Sequence, residues 1–69
     1  PAEVALSLRR ARALAREQGA RLWELHATLA LHRLRPTAGT RRDLQRICDA
    51  FEAEPATPMI REARAELAT

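Results

Sequence analysis

Arg21-Leu-Trp-Glu-Leu-His-Ala-Thr-Leu-Ala-Leu-His-Arg-Leu34 decides the fold of this chain. Eight of its fourteen residues are apolar: Leu22, Trp23, Leu25, Ala27, Leu29, Ala30, Leu31 and Leu34. They recur at helical spacing as two neighbouring ridges, Leu22/Leu25/Leu29 and Trp23/Ala27/Ala30/Leu34. A helix apolar over so much of its circumference is buried between neighbours, not laid on a surface. The segment is therefore expected to be a central helix. Leu22, Trp23, Leu25, Leu29 and Leu34 are expected to hold helical hairpins together, with Ile47 and Phe51 packing from a later helix.

Upstream, a first helix is expected from about Ala2 to Gln18, with Val4, Leu8, Ala11 and Ala15 as its apolar stripe and Ala5, Leu14 and Gln18 flanking it. Gly19 suits the left-handed position that closes a helix, since it carries no Cβ penalty there. The gap before Arg21 is so short that the two helices must fold back as an antiparallel hairpin. Downstream, Pro36 stops the central helix, and Pro36-Thr-Ala-Gly39 reads as a loop. Thr40 and Asp43 have capping-box spacing, with Asp in place of the usual Glu or Gln. A third helix then carries Leu44, Ile47, Cys48 and Phe51 on one face and fades near Ala53. Thr57-Pro58 restarts a fourth helix, to about Ala68, with Thr as N-cap and Pro at N1. It packs through Met59 or Ile60, Ala63 and Leu67. The reading is an all-α fold of four helices in two antiparallel hairpins, forming one unit over residues 1–69.

Composition agrees. The apolar residues are mostly fifteen Ala and ten Leu, against two Ile and one Val. Ala and Leu are strong helix formers, whereas strands favour β-branched and aromatic side chains. A chain of 69 residues makes one small domain. At that size about 60% of the unfolded surface is hidden, and a single core rarely supplies more than about 3–5 kcal/mol without a staple. With one Cys there is no internal disulfide. Marginal or borrowed stability is the expectation. The start at Pro1, with neither Met nor a signal-peptide pattern, suggests a piece of something longer. There is no apolar run of membrane-spanning length.

The stretch Ala11-Arg-Ala-Leu-Ala-Arg-Glu-Gln-Gly-Ala-Arg-Leu-Trp-Glu-Leu-His-Ala-Thr-Leu-Ala-Leu-His-Arg-Leu34 resembles a segment of large bacterial regulators. These join a cyclase or DNA-binding domain to a predicted ATPase and tetratricopeptide-like repeats. Phe51, Thr57, Pro58 and the helix to Leu67 look like their closing segment, so the resemblance spans roughly Leu6 to Leu67. Three departures stand out: His26 replaces an Arg, Glu54 replaces a Gly, and the helix after Gly39 is about one turn short. The resemblance implies a tetratricopeptide-like repeat unit at the end of a solenoid, in the cytoplasm. Such a unit stacks on neighbours because it cannot bury its apolar faces alone. Cyclase and ATPase chemistry belong to other parts of those proteins.

The polar residues point to no reaction. His26 and His32 are six apart, where a shared metal on one helix needs three or four. Cys48 sits on an apolar stripe, far from the basic setting that activates a thiol. The acids are scattered, and no Gly-rich phosphate loop or hydrolase triad occurs. No catalytic, cofactor-binding or metal-binding residue is assigned, and no cofactor is expected. Glu24 is expected to meet Arg21 or Arg16. All twelve basic residues are Arg, and Arg9, Arg10, Arg12 and Arg16 form a candidate partner-facing patch that Arg41, Arg42 and Arg46 would extend. The expected function is a protein–protein interaction module whose partners are preceding repeats of its parent, a second copy or a peptide. The runner-up is a small Arg-rich helical protein that binds nucleic acid, although no helix offers base-reading side chains.

Overall fold

A computed structural model describes residues 2–51 and 57–69. These residues form four helices and no strand: α1 (Ala2–Glu17), α2 (Arg21–Leu34), α3 (Ala38–Asp49) and α4 (Pro58–Ala68). The third helix stops at Asp49, short of the expected Ala53, which with Glu54 lies outside the described residues. None of the helices is long and apolar enough to cross a membrane.

Gly19 closes α1 in the left-handed region, at φ 69°. The Ala20 N–H donates to the Ala15 carbonyl at 2.8 Å and the Gly19 N–H to the Arg16 carbonyl at 3.2 Å. Those two bonds satisfy carbonyls that the helix end would otherwise orphan, and they reverse the chain into α2. At the next turn the expected capping box is displaced by one turn. Thr37, not Thr40, is the N-cap: the Thr40 N–H donates to Thr37 Oγ1 at 3.0 Å, and the Thr37 N–H donates to Thr40 Oγ1 at 2.9 Å. Gly39 therefore lies inside α3, and Asp43 is free to act elsewhere. The shift has a physical cause. Thr40 Oγ1 also shares a 2.7 Å hydrogen bond with Nδ1 of the buried His32 in α2. A threonine can thus fill the place usually held by Glu or Gln. The fourth helix begins as its sequence indicates, with Thr57 Oγ1 accepting from the Ile60 N–H.

The helices run alternately up and down. Arg16 pairs with Glu24 across the first turn, and Arg41 near the start of α3 donates to the Leu67 carbonyl near the end of α4. One apolar cluster unites α2, α3 and α4: Leu25, Leu29, Leu44, Ile47, Cys48, Phe51, Ile60, Ala63 and Leu67. Leu25, Leu44 and Ala63 are completely enclosed. Helix α1 contributes nothing to that cluster and lies on the opposite side of α2. There Ala15 meets a seam that buries Ala27 and Leu31 of α2. The small side chains let the two backbones approach closely.

Two expectations about buried faces need correction. In α1 the turned-in residues are Ala5, Leu8, Arg12 and Ala15, whereas Val4 and Ala11 are exposed. In this rotation Arg12 Nη1 donates to Asp43 Oδ2 of α3 at 3.1 Å. In α2, Leu25 and Leu29 pack as read, but Leu22, Trp23 and Leu34 do not hold the hairpins together. They remain 47%, 69% and 40% exposed. The three neighbours of α2 cover only part of its circumference, and these side chains fall on the uncovered part.

The two glycines predict opposite effects for one substitution. Gly19→Ala forces a Cβ into the left-handed region and should lower stability by about 1–2 kcal/mol, although nothing lies within 4 Å of the added atom. Gly39→Ala places its Cβ 3.6 Å from Thr37 Oγ1, an ordinary contact in a helix. It should raise stability by about 0.5–1 kcal/mol. Urea titration followed by circular dichroism measures both.

Candidate interaction surface

Because α1 and α4 flank α2 without packing on each other, a groove of about 610 Å³ opens between them. Its walls are mainly aliphatic: Val4 and Leu8 from α1, Ala30 and Leu34 from α2, and Met59 from α4. His26, Arg33 and Glu62 supply its polar rim. Trp23 extends the apolar surface beyond the groove, because its ring meets His26 edge-on, with centroids 6.2 Å apart and planes at 80°. Leu22 lies one turn before His26 and is also exposed. Soluble proteins rarely leave grouped large apolar side chains uncovered unless something docks there. Leu6 and Leu14 are also exposed, farther round α1.

The expected arginine patch divides into different roles. Arg12 is partly buried in its pair with Asp43, and Arg16 Nε donates to Glu24 Oε2 at 3.0 Å. Arg10 and Arg9 make no ion pair among the described residues; Arg10 stands on the exposed surface of α1, while Arg9 turns toward a second cavity. Arg41, Arg42 and Arg46 line a separate depression along α3 with Gln45 and Asp49, so they do not extend the first group. Arg35 escaped the sequence reading. It follows the last turn of α2 with extended backbone, φ −151° and ψ 89°, so no helical period marks where it points. The cavity it lines with Arg9 and Arg12 is about 540 Å³.

Thr28 is buried and its hydroxyl donates to the Glu24 carbonyl one turn earlier, at 2.7 Å. No buried side-chain nitrogen or oxygen among the described residues lacks a partner. Nor does any group of three His, Cys, Asp or Glu among them converge as a metal site would require. Cys48 is 3% exposed, within the apolar cluster. Burial pushes its thiol pKa up; Arg64 offsets part of that rise, and Asp49 adds to it.

That thiol links chemistry to folding. Native Cys48 should react with a thiol reagent only through opening of the α2–α4 cluster, and urea should accelerate labelling in step with unfolding. A raised native pKa means that stability is intact below the ordinary thiol range. It is lost as pH rises through that range, because the unfolded thiol ionises first. Replacement by Ala should flatten this alkaline loss while lowering stability at neutral pH through the cavity left behind. Denaturant titrations at several pH values test both. Compared with known proteins, no family model matches this chain, and no curated protein or solved structure matches it.

Proposed function

We propose that the chain is a protein–protein interaction module without catalysis of its own. It would be the tetratricopeptide-like terminal repeat unit of a bacterial signalling or transcriptional regulator, acting in the cytoplasm. The observation that carries this reading is the open side of α2. Val4, Leu34 and Met59 frame an aliphatic groove while Trp23 stands 69% exposed beside it. The sealed core adjoins this groove, since Leu29 belongs to the core and also lines the groove. Removing such apolar surface from water contributes about 25 cal/mol for each Å², against which the entropic costs of association are set.

The packing order supports the repeat reading. Helix α2 packs on α1, α3 and α4, whereas α1 packs only on α2. In the two hairpins α1–α2 and α3–α4, α2 is the helix that meets the neighbouring hairpin, touching both α3 and α4. The uncovered groove is then where a neighbouring repeat, a second copy or a peptide lies against the stack. Arg12 and Arg16, occupied by Asp43 and Glu24, are less available to phosphates than the sequence alone suggests.

Sedimentation of the chain across a wide concentration range, with titration of a synthetic amphipathic helix, tests the proposal. Association or peptide binding is expected, weakened at least tenfold by Trp23→Ser combined with Val4→Ser. The thermal midpoint should stay close to the parent value, because both side chains are already exposed. A chain that stays monomeric, ignores the helix and binds nucleic acid with steep salt dependence would instead support the nucleic-acid reading.

A further inference from the structure

Past Leu34, which also lines the apolar groove, α1 and the start of α3 enclose the cavity of about 540 Å³ introduced above. Its charge is one-sided. Among the described residues Arg9, Arg12 and Arg35 line it, and the only acid there is Asp43, already bonded to Arg12. Arg9 and Arg35 have no acidic partner among the described residues. The first turn of α3 opens on the same space through Thr37, Gly39 and Thr40 and adds the positive end of its dipole.

The rest of the lining narrows the class of anion. Ala2, Ala5, Leu31 and Leu34 give the cavity an aliphatic wall. A free inorganic anion gains nothing from that wall. Nucleic acid is a poor fit as well, since base recognition on such surfaces relies on aromatic platforms. The two aromatics are elsewhere: Trp23 stands beside the apolar groove, and Phe51 is buried in the core. A peptide bearing a carboxylate next to an aliphatic side chain uses both features, and planar guanidinium groups suit bidentate carboxylate binding.

We propose that this cavity receives an acidic side chain of a partner protein, held by Arg9, Arg12 and Arg35, with the adjoining aliphatic residue resting on Ala5 and Leu31. The proposal rests on the interaction-module reading and identifies the chemistry of one contact within it. It also separates two jobs along α2: one concavity offers apolar area, and the other selects for negative charge.

Fluorescence anisotropy of the 69-residue chain with a fluorescein-labelled hexapeptide of alternating Glu and Leu tests this. Matched Lys/Leu and Glu/Ser peptides and a labelled single-stranded DNA serve as comparisons. The Glu/Leu peptide is expected to bind at least tenfold more tightly than any of the three. Arg9→Ala with Arg35→Ala should weaken it at least tenfold while the thermal midpoint is kept or raised. Arg10→Ala, outside the cavity, should leave it unchanged. Equal binding of the Lys/Leu peptide, tighter binding of DNA, or affinity indifferent to the Arg9 and Arg35 changes would each overturn the proposal. Glu/Leu binding that survives those changes but falls with Trp23→Ser would overturn the cavity while keeping the interaction-module reading. Inorganic phosphate competing as well as the peptide would show a simple anion site, and would overturn it too.

Discussion

The fold depends on how α2 is gripped. Leu25 and Leu29 are locked into Leu44, Ile47, Ile60 and Ala63 from two later helices, while Ala27 and Leu31 take the first helix on the opposite side. A chain of this size has little apolar burial to spare. Placing the most apolar helix at the centre lets a single segment serve both seams. The arrangement also leaves a helix-wide gap, since α1 and α4 approach α2 from different directions and do not meet. The groove with Trp23 at its edge is a consequence of that geometry.

Much of this was legible in the chain before any coordinates. The four helices follow from periodicity and punctuation: Gly19 in the left-handed turn, Pro36 after α2, Thr57-Pro58 before α4. Burial of Leu25, Leu29, Ile47 and Phe51 follows from stripes with a partner on each side. What periodicity cannot supply is which stripe meets a neighbour. Trp23 and Leu34 have the same spacing as core residues, and only the angular positions of α1 and α4 leave them bare. The same limit explains α1, where Val4 lies one residue from the true seam at Ala5. That rotation brings Arg12 to Asp43, a partner distant in sequence that no local pattern indicates.

The polar features were less legible for a related reason. The box closing α3 is a side-chain network that includes His32 from another helix, so local spacing favoured Thr40 and Asp43 over Thr37 and Thr40. That misplacement hid the role of Asp43, and with it the division of the arginines into paired and unpaired members. Once Arg12 and Arg16 are accounted for, the basic character of α1 no longer amounts to a continuous phosphate-binding face. Charge and apolar area then occupy separate concavities that meet at Leu34, and each is a distinct constraint on what can dock.

Trp23 is the only tryptophan, which makes its fluorescence a direct report on the open side of α2. In the dilute native chain its emission should be red-shifted, as in water, and acrylamide should quench it almost as freely as in the unfolded chain. Blue-shifted, quencher-resistant emission from the dilute monomer would place the indole inside the bundle and contradict the account.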